Sequence, residues 1–304
     1  MNAPDRLPLD TPAVVSTACG REAMHESALA QASGSALYVD DVPEVRGTLH
    51  LAPVSSPVAH GRLRGIDTAA ALAKPGVVAI LTAADLPGDA CFATHAHDER
   101  ILPTDEVCYV GHVVALVAAR TQEQARLAAR AVRLDIEELP AILHIEQALE
   151  QAEFVLPDVT LTRGDPGSAM ADAPHRLQGQ TRVGGQEHFY LEGQVAYALP
   201  QEQGGWRVLS STQHPGEAQH WIARALAVPA HAVQVECRRM GGAFGGKETQ
   251  AGQIAVWAAL AAHKTGLPVK MRLDRDDDMT ITGKRHDFLM RYDVGYDAAG
   301  RILG

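Results

Sequence analysis

The clearest pattern of apolar and polar residues lies in the last third of the chain. Residues 233–237 alternate between apolar and polar, which is the period of a half-buried strand. A glycine-rich stretch follows at 238–249, and apolar residues then recur at helical spacing until Gly266. These recurring residues are Ile254, Ala255, Trp257, Ala258, Leu260, Ala261 and Ala262. The pattern predicts a strand, a glycine loop and a buried helix.

The first half of the chain alternates predicted strands with short predicted helices. Apolar runs predict strands at 49–54, 77–81, 107–119 and 134–137, and helices at 68–72 and 145–153. Gly111 breaks the third run, which predicts two strands or one bent strand, and Pro53 predicts an edge position for the first. Thr121 and Gln124 have the spacing of a capping box and predict the start of another helix. This alternation is typical of an α/β unit.

A composition change divides the chain in two. Residues 154–174 collect proline, glycine and aspartate, which is the composition of a linker. Beyond it, the pattern predicts strands at 176–183, 195–199, 206–210, 269–273 and 288–294, and a helix at 217–226. We therefore predict an α/β (α+β) protein. Its predicted parts are a loose lead-in at 1–19, a small α/β domain at 20–150, a linker at 151–174 and a second mixed domain at 175–304.

Charge and cysteine content exclude several classes of protein. A formal net charge of -10 argues against binding of nucleic acid or an anionic membrane, because both require clustered cations. No run approaches the roughly 18 apolar residues of a membrane span. The cysteines lack the C-x-x-C spacing of a zinc or iron–sulfur site; they are Cys19, Cys91, Cys108 and Cys237. Scattered cysteines of this kind indicate reduced thiols, so we expect a cytoplasmic protein.

The histidines at 95 and 97 have a spacing that could chelate a metal. Asp98 and Glu99 follow directly and could add carboxylate ligands. An exposed polar loop is the alternative, and it is the interpretation that we prefer for this stretch.

The glycine loop has partial matches to two nucleotide-binding motifs. Gly241, Gly246 and Lys247 fit G-x-x-x-x-G-K, but Glu248 stands where the motif requires a serine or threonine to ligate magnesium. The dinucleotide fingerprint fails as well, because Ala243 occupies the place of its second glycine. A loop of this kind next to a helix N-terminus is suited to an electron-rich ligand, but not to a plain nucleotide.

Residues 240–249, Met-Gly-Gly-Ala-Phe-Gly-Gly-Lys-Glu-Thr, resemble the signature loop of the xanthine dehydrogenase and aldehyde oxidase family of molybdenum hydroxylases. Two upstream stretches are also similar to family segments, and they occur in the family's order. They are Gly-Gln-Glu-His-Phe-Tyr-Leu-Glu at 185–192 and Ser-Thr-Gln at 211–213. The resemblance covers nearly all of 20–304. It implies a hammerhead-type α/β domain followed by the first part of a domain that binds molybdopterin.

The resemblance also implies a molybdenum–molybdopterin cofactor and residues to hold it. Gln213 matches a glutamine whose amide donates to an oxygen ligand of the metal, and Phe244 matches a residue that packs at the metal. Glu248 matches a glutamate that faces the substrate in purine-oxidising members. The loop residues expected at the cofactor are Gly241, Gly242, Ala243, Phe244 and Gly245. The resemblance assigns no catalytic residue within this chain.

Each of these residues also has an ordinary structural interpretation. Gln213 could tie down its own turn, Phe244 could be a core aromatic, and Glu248 could stabilise the first turn of the following helix. Lys247 could pair with an anion of the cofactor or lie in solvent. Gln186, Glu187 and His188 are interpreted as support for the cofactor region, with no chemistry of their own. The choice between these alternatives depends on the spatial arrangement of the residues.

The resemblance implies hydroxylation of hypoxanthine or xanthine with oxygen derived from water. It implies FAD and 2Fe–2S clusters on other chains, and a hetero-oligomer, such as a dimer of heterodimers, with an iron–sulfur/FAD subunit. The family's base glutamate maps beyond Gly304, so we expect a fragment that is inactive alone. An aldehyde oxidase or another N-heterocycle hydroxylase is the alternative within the family. A non-catalytic scaffold of the same fold is the alternative of another class.

Overall fold

The computed structural model describes residues 23–92 and 96–304. Its strands are β1 (Leu49–Ser55), β2 (Gly61–Asp67), β3 (Val77–Leu81), β4 (Cys91–Phe92), β5 (Glu99–Arg100), β6 (Glu106–Val107), β7 (Val113–Ala119), β8 (Arg133–Glu138), β9 (His175–Val183), β10 (Val195–Pro200), β11 (Trp206–Ser210), β12 (Val233–Glu236), β13 (Val269–Arg272) and β14 (Phe288–Tyr296). Its helices are α1 (Ala28–Ser33), α2 (Ala69–Leu72), α3 (Gln122–Ala129), α4 (Ile145–Gln151), α5 (Pro166–Asp172), α6 (Pro215–Ala225), α7 (Gln250–Thr265) and α8 (Arg275–Ile281). Helices and strands are thus mixed, as expected. Across these described ranges, no helix is both long and apolar enough to cross a membrane.

The described residues fall into two compact units, which are divided in sequence between Leu37 and Tyr38. In the described part of the first unit, α1 ends at Gly34, which adopts a left-handed φ of 74° and donates a hydrogen bond back to Gln31. All of the strands named above lie in the second unit.

A seven-stranded sheet forms the centre of the second unit. Its strand order is β12-β11-β10-β13-β1-β7-β3. β1 pairs in parallel with β13 and antiparallel with β7, so strands from both sides of the predicted linker share one sheet. The domain boundaries at 150 and 175 stay a prediction. Within the predicted linker, α5 forms because Asp165 caps its N-terminus by accepting from Ser168 N at 3.1 Å.

The predicted edge position of β1 was wrong. β1 is an interior strand, and Pro53 pairs with Leu116 of β7. The proline is tolerated because the pairing with β13 covers only residues 49–51, so no ladder bond is lost on that side at Pro53.

The buried helix predicted after the glycine loop is α7. Its residues 251–262 are all buried, and they pack between the sheet and α6. At the crossing of α6 and α7, a Cβ atom on Gly252 would lie 2.1 Å from the Trp221 ring, so the helices approach closely only because this residue is glycine. This packing fixes the position of the N-terminus of α7, where the glycine loop ends.

Most predicted elements of the first half are present. The predicted run at 107–119 contains the last residue of β6 and all of β7, and residues 108–112, with Gly111 at φ 97°, separate the two strands. Thr121 accepts from Gln124 N at 3.2 Å, but the side-chain oxygen of Gln124 has no hydrogen-bond partner among the described residues, so only half of the capping box forms.

Two elements, β2 and α8, were not predicted. Glycines interrupt the apolar period of β2, and three consecutive aspartates obscure that of α8.

Candidate functional site

The glycine loop follows β12 and reaches the N-terminus of α7. Three of its residues have left-handed backbone angles: Gly242 at φ 95°, Phe244 at φ 55° and Gly245 at φ 93°. Glycine accepts this region at no steric cost, whereas a residue such as phenylalanine rarely does. The backbone strain at Phe244 places an aromatic side chain on the outside of the loop, where it is 75% exposed.

Two other glycines are required by close packing rather than by backbone angle. A Cβ atom on Gly241 would lie 2.6 Å from Cβ of Glu192. A Cβ atom on Gly246 would lie 2.7 Å from the Tyr190 ring and 2.8 Å from the His188 ring. The loop therefore lies directly on residues 188–192, which belong to the family-like stretch at 185–192.

Gln213 lies against the loop with a defined orientation. Its side-chain oxygen accepts from Gly245 N at 3.0 Å and from Lys247 N at 3.3 Å. Its own backbone N–H donates to the Lys247 carbonyl at 2.9 Å. Since an N–H can donate only to the carbonyl end of an amide, the Gln213 nitrogen must face away from the loop. Gln213 is exposed, and within the described residues its Nε2 has no partner.

A buried ion pair lies beneath the loop. Lys247 has a side chain that is 0% exposed, and its Nζ donates to Glu192 at 3.0 Å and to Ser211 Oγ at 2.7 Å. The same Glu192 oxygen accepts from Gly241 N at 2.8 Å and from Ser211 Oγ at 2.6 Å. Burial lowers the pKa of Lys247, and the Glu192 carboxylate opposes that shift. Lys247 is therefore neither a solvated lysine nor, with Glu192 as its partner, available to a cofactor anion.

A second polar network supports the loop from residues 190–194. Asp278 is 1% exposed, and its carboxylate accepts from Tyr190 at 2.6 Å, from Gln194 N at 3.0 Å and from Thr282 at 3.2 Å. The Gln194 side chain then donates to the Gly246 carbonyl at 3.0 Å. Burial and the neighbouring Asp278 raise the pKa of Tyr190, which keeps its hydroxyl protonated as a donor.

Phe244 lines an open pocket of about 460 Å³. The interpretation of Phe244 as a core aromatic was wrong, because the left-handed backbone turns the ring outward. The other residues that line the pocket are Gln186, Glu187, His188 and Arg285. The predicted support layer at 186–188 thus lies beside the loop and the pocket.

Glu248 is exposed at the end of the loop. Its backbone N–H donates to the Gly245 carbonyl at 3.3 Å, while its carboxylate makes no hydrogen bond or ion pair with any described residue. The next residue, Thr249, precedes the first turn of α7. The carboxylate is therefore free for a ligand, and it directly follows Lys247, whose backbone holds Gln213.

His97 lies apart from the loop and pairs with Asp89 at 2.8 Å. Ligand atoms of Asp89, Cys91 and His97 lie within 4.8 Å of one another, but the Asp89 carboxylate also pairs with Arg224. That guanidinium already supplies the positive charge next to the carboxylate. His97 is exposed, as a polar loop requires, and His95 lies outside the described residues.

Sequence reasoning missed the groups that hold the loop in place. Glu192 and Tyr190 lie in the stretch at 185–192, which the resemblance had marked as a whole. Asp278 had no signal at all, since it is one of three adjacent aspartates and its neighbours are exposed or half-buried. The polar residues that are buried around the loop are Gln194, Ser211, Thr212, Lys247, Asp278 and Thr282.

The site fits a bulky, electron-rich cofactor. Gln213 presents an amide N–H donor that no described residue uses, Phe244 presents an aromatic ring, and Gly242 and Gly245, on either side of residues 243–244, carry no Cβ atoms. The glycine loop ends at the N-terminus of a long buried helix, which adds partial positive charge. The fold and the site thus define a mixed α/β domain whose glycine loop, at the N-terminus of a buried helix, fits a bulky, electron-rich cofactor.

Comparisons with known proteins identify that domain. Residues 148–304 match the molybdopterin cofactor-binding domain, and residues 33–140 match the a/b hammerhead domain of aldehyde oxidase and xanthine dehydrogenase. The chain belongs to the xanthine dehydrogenase and aldehyde oxidase family of molybdenum hydroxylases, in its molybdenum-binding part.

Relatives from animals and bacteria match nearly all of this chain but only part of their own length. Xanthine dehydrogenase/oxidase of Felis catus is 41% identical over 285 residues, which are 93% of this chain and 21% of the relative. Aldehyde oxidase 2 of Cavia porcellus is also 41% identical, with the same coverage. The aldehyde oxidoreductase structure from Desulfovibrio gigas superimposes with a TM-score of 0.83 at 30% identity, covering 91% of this chain and 32% of that one. The chain spans about one fifth of the length of the relatives it matches.

Proposed function

We propose that the complete protein containing this chain hydroxylates hypoxanthine or xanthine, with oxygen derived from water. The observation that carries the choice of substrate is Glu248, an exposed carboxylate at the end of the glycine loop that has no partner among the described residues. A carboxylate in that place accepts a hydrogen bond from a purine N–H and stabilises charge that develops during the reaction. Relatives named xanthine dehydrogenase/oxidase support the choice.

In this proposal Gln213 and the glycine loop hold molybdenum–molybdopterin. The Gln213 Nε2 would donate a hydrogen bond to an oxygen ligand of the metal, and Phe244 would pack beside it. Gly242 and Gly245 would give the cofactor close access to the backbone, and Gly241 and Ala243 would complete the loop beside it. When bound, the cofactor supplies the oxygen-transfer and electron-accepting chemistry.

We further propose that other chains carry FAD and 2Fe–2S clusters and assemble with this one into a hetero-oligomer, such as a dimer of heterodimers, in the cytoplasm. The four cysteines of this chain lack the sequence spacing that is typical of such a cluster. The resemblance implies that the family's base glutamate lies outside this chain, so we propose that the chain alone is inactive. Turnover of any purine by this chain alone would contradict this expectation.

Glu248→Ala in the complete enzyme tests the choice of substrate. We expect purine kcat/KM to fall by about 10²- to 10³-fold, because the removed carboxylate interacts with charge in the transition state. Glu123→Ala is the matched control, since Glu123 is also an exposed glutamate next to a helix N-terminus, in this case within the first turn of α3. Purine turnover that is unchanged in Glu248→Ala would exclude the proposed role.

Aldehyde oxidation is the second candidate, favoured by the match to aldehyde oxidase 2 of Cavia porcellus and by the aldehyde oxidoreductase structure from Desulfovibrio gigas. Aldehyde turnover that exceeds purine turnover, and that does not depend on Glu248, would support it. A non-catalytic scaffold is distinguished by metal analysis, because the complete protein would then contain no molybdenum.

A further inference from the structure

We infer that Lys247 and Glu192 are positioning residues that hold Gln213 in the orientation required by the cofactor. The inference rests on the proposed function, because the purpose of that orientation is to present Nε2 of Gln213 to the metal's oxygen ligand. Neither Lys247 nor Glu192 touches the cofactor in this scheme. Both act through Gln213.

Lys247 connects the loop to residues 211–213 by four hydrogen bonds. Its Nζ donates to Ser211 Oγ at 2.7 Å, and its carbonyl accepts from Thr212 Oγ1 at 3.3 Å and from Gln213 N at 2.9 Å. Its backbone N–H donates to the Gln213 side-chain oxygen at 3.3 Å. One residue therefore fixes both the backbone and the side-chain amide of Gln213.

Glu192 connects the two ends of the loop. One carboxylate oxygen accepts from Gly241 N at 2.8 Å, near the start of the loop, and from Lys247 Nζ at 3.0 Å, near its end. The same oxygen accepts from Ser211 Oγ at 2.6 Å. Loop ends that are joined through a single atom cannot separate without breaking a charge-assisted hydrogen bond.

The burial of this pair sets it apart from a surface ion pair. The Lys247 side chain is 0% exposed and that of Glu192 is 12% exposed, so both charges are largely removed from water. A buried ion pair adds little net stability relative to apolar residues, but removing one partner leaves a costly unpaired charge. Such a pair is better explained by a requirement for one defined geometry. Here that geometry is the one at Gln213.

The test uses the complete enzyme with Lys247→Met, Glu192→Gln and Gln213→Ala, alone and combined. We expect each of the first two changes to lower kcat on the order of 10- to 100-fold with bound molybdenum retained, because misplacement by about 1 Å costs that much. In the Gln213→Ala background, the same changes should have less than about a twofold further effect, since their effect acts through Gln213. Losses that multiply would overturn the inference.

Hydrogen–deuterium exchange supplies a readout that does not depend on turnover. The amides of Gly245 and Lys247 are bonded to Gln213, so Lys247→Met should speed exchange in the peptide covering 240–249. Lys270→Met is the matched control, because Lys270 is 7% exposed and pairs with Asp40 and Glu44, away from the loop. It should lower the melting temperature without changing kcat or exchange at 240–249. Equal effects of both lysine variants would overturn the inference.

The outcomes separate this inference from the proposed function. A complete protein without molybdenum would contradict the proposed function, while the exchange experiment would still test the positioning of Gln213. If Lys247→Met fails to fold, Glu192→Gln preserves the shape of the side chain and is measured in the same two ways. A fully active Glu192→Gln enzyme with unchanged exchange would overturn the inference.

Discussion

The side-chain oxygen of Gln213 accepts a hydrogen bond from the main-chain N–H of Gly245 at 3.0 Å. This contact joins the segment that follows β11 to the glycine loop, and it determines which end of the Gln213 amide is exposed. The nitrogen faces outward because the oxygen is occupied by Gly245 and Lys247. A hydrogen-bond donor of fixed orientation is thus built from two segments that the sequence shows only as separate stretches.

Gln213→Glu tests the exposed donor. The glutamate keeps an oxygen for the two loop amides but replaces the outward nitrogen with an acceptor, so we expect catalytic rate to fall about 10²- to 10³-fold. The free energy of unfolding should change by less than about 1 kcal/mol, because the loop contacts are retained. Steady-state kinetics and urea unfolding of the complete enzyme check this. Gln151→Glu, at the exposed end of α4, is the charge-matched control, and equal activity of both variants would refute the role of Nε2.

Gly246→Ala tests the close packing of the loop. Its added Cβ would lie 2.7 Å from the Tyr190 ring, and the ring is buried and cannot move aside. We expect a loss of about 1–3 kcal/mol in the free energy of unfolding, measured by urea denaturation. Gly184→Ala should be nearly neutral, because no atom of the described residues lies within 4 Å of its Cβ position and its backbone φ is not positive. A neutral Gly246→Ala would show that the loop is not packed on Tyr190.

Asp278→Asn tests the buried carboxylate. The amide nitrogen of asparagine would face a donor among Tyr190, Thr282 and the Gln194 backbone, so at least one bond is lost. We expect destabilisation of about 1–3 kcal/mol by thermal or urea unfolding. Asp276→Asn, on the exposed first turn of the same helix, should cost at most about 0.5 kcal/mol. Similar losses at both positions would argue against a structural role for Asp278.

His112 gives a pH dependence of stability. It is 7% exposed, and its ring stacks on that of Tyr109 with the two ring centroids 4.6 Å apart. Burial lowers the pKa of His112 from 6.5 to about 4. The unfolded chain therefore takes up a proton on this residue below about pH 6.5, whereas the folded chain does so only near pH 4. The contribution of His112 to the free energy of unfolding is therefore fully present above pH 6.5. It is lost as the pH falls from 6.5 to about 4, by up to about 3 kcal/mol.

His112→Asn separates this contribution from that of other groups. The asparagine oxygen can accept from Cys108 N, as His112 Nδ1 does at 3.3 Å, but it does not titrate in this range. Urea midpoints measured between pH 4 and pH 7 should therefore depend less on pH in the variant. An identical pH profile would mean that His112 is not the group responsible.

Helices and strands are predicted well from the sequence where a single period of apolar residues dominates the segment. Strand β11 was predicted with its observed ends, and α7 was predicted as buried because its apolar residues cover every face. The interior position of β1 was not predictable, since its pairing with β13 depends on chain packing rather than on local pattern. Pro53 gave the wrong signal for the same reason.

The candidate site was predictable only in part. The resemblance marked Gln213 and the loop, and the structure brings them into direct contact. The burial of Lys247 was not predictable, because lysine is almost never fully buried unless it is paired, and its partner Glu192 lies far away in sequence. The outward ring of Phe244 depends on a left-handed backbone angle that phenylalanine seldom adopts.

The most direct measurement is a crystal structure of the complete protein with molybdopterin bound. We expect Nε2 of Gln213 to lie about 2.7–3.2 Å from an oxygen ligand of the molybdenum, with its side-chain oxygen still on Gly245 N. A metal held away from residues 240–249, or a Gln213 amide turned so that its oxygen faces the metal, would contradict the site described here.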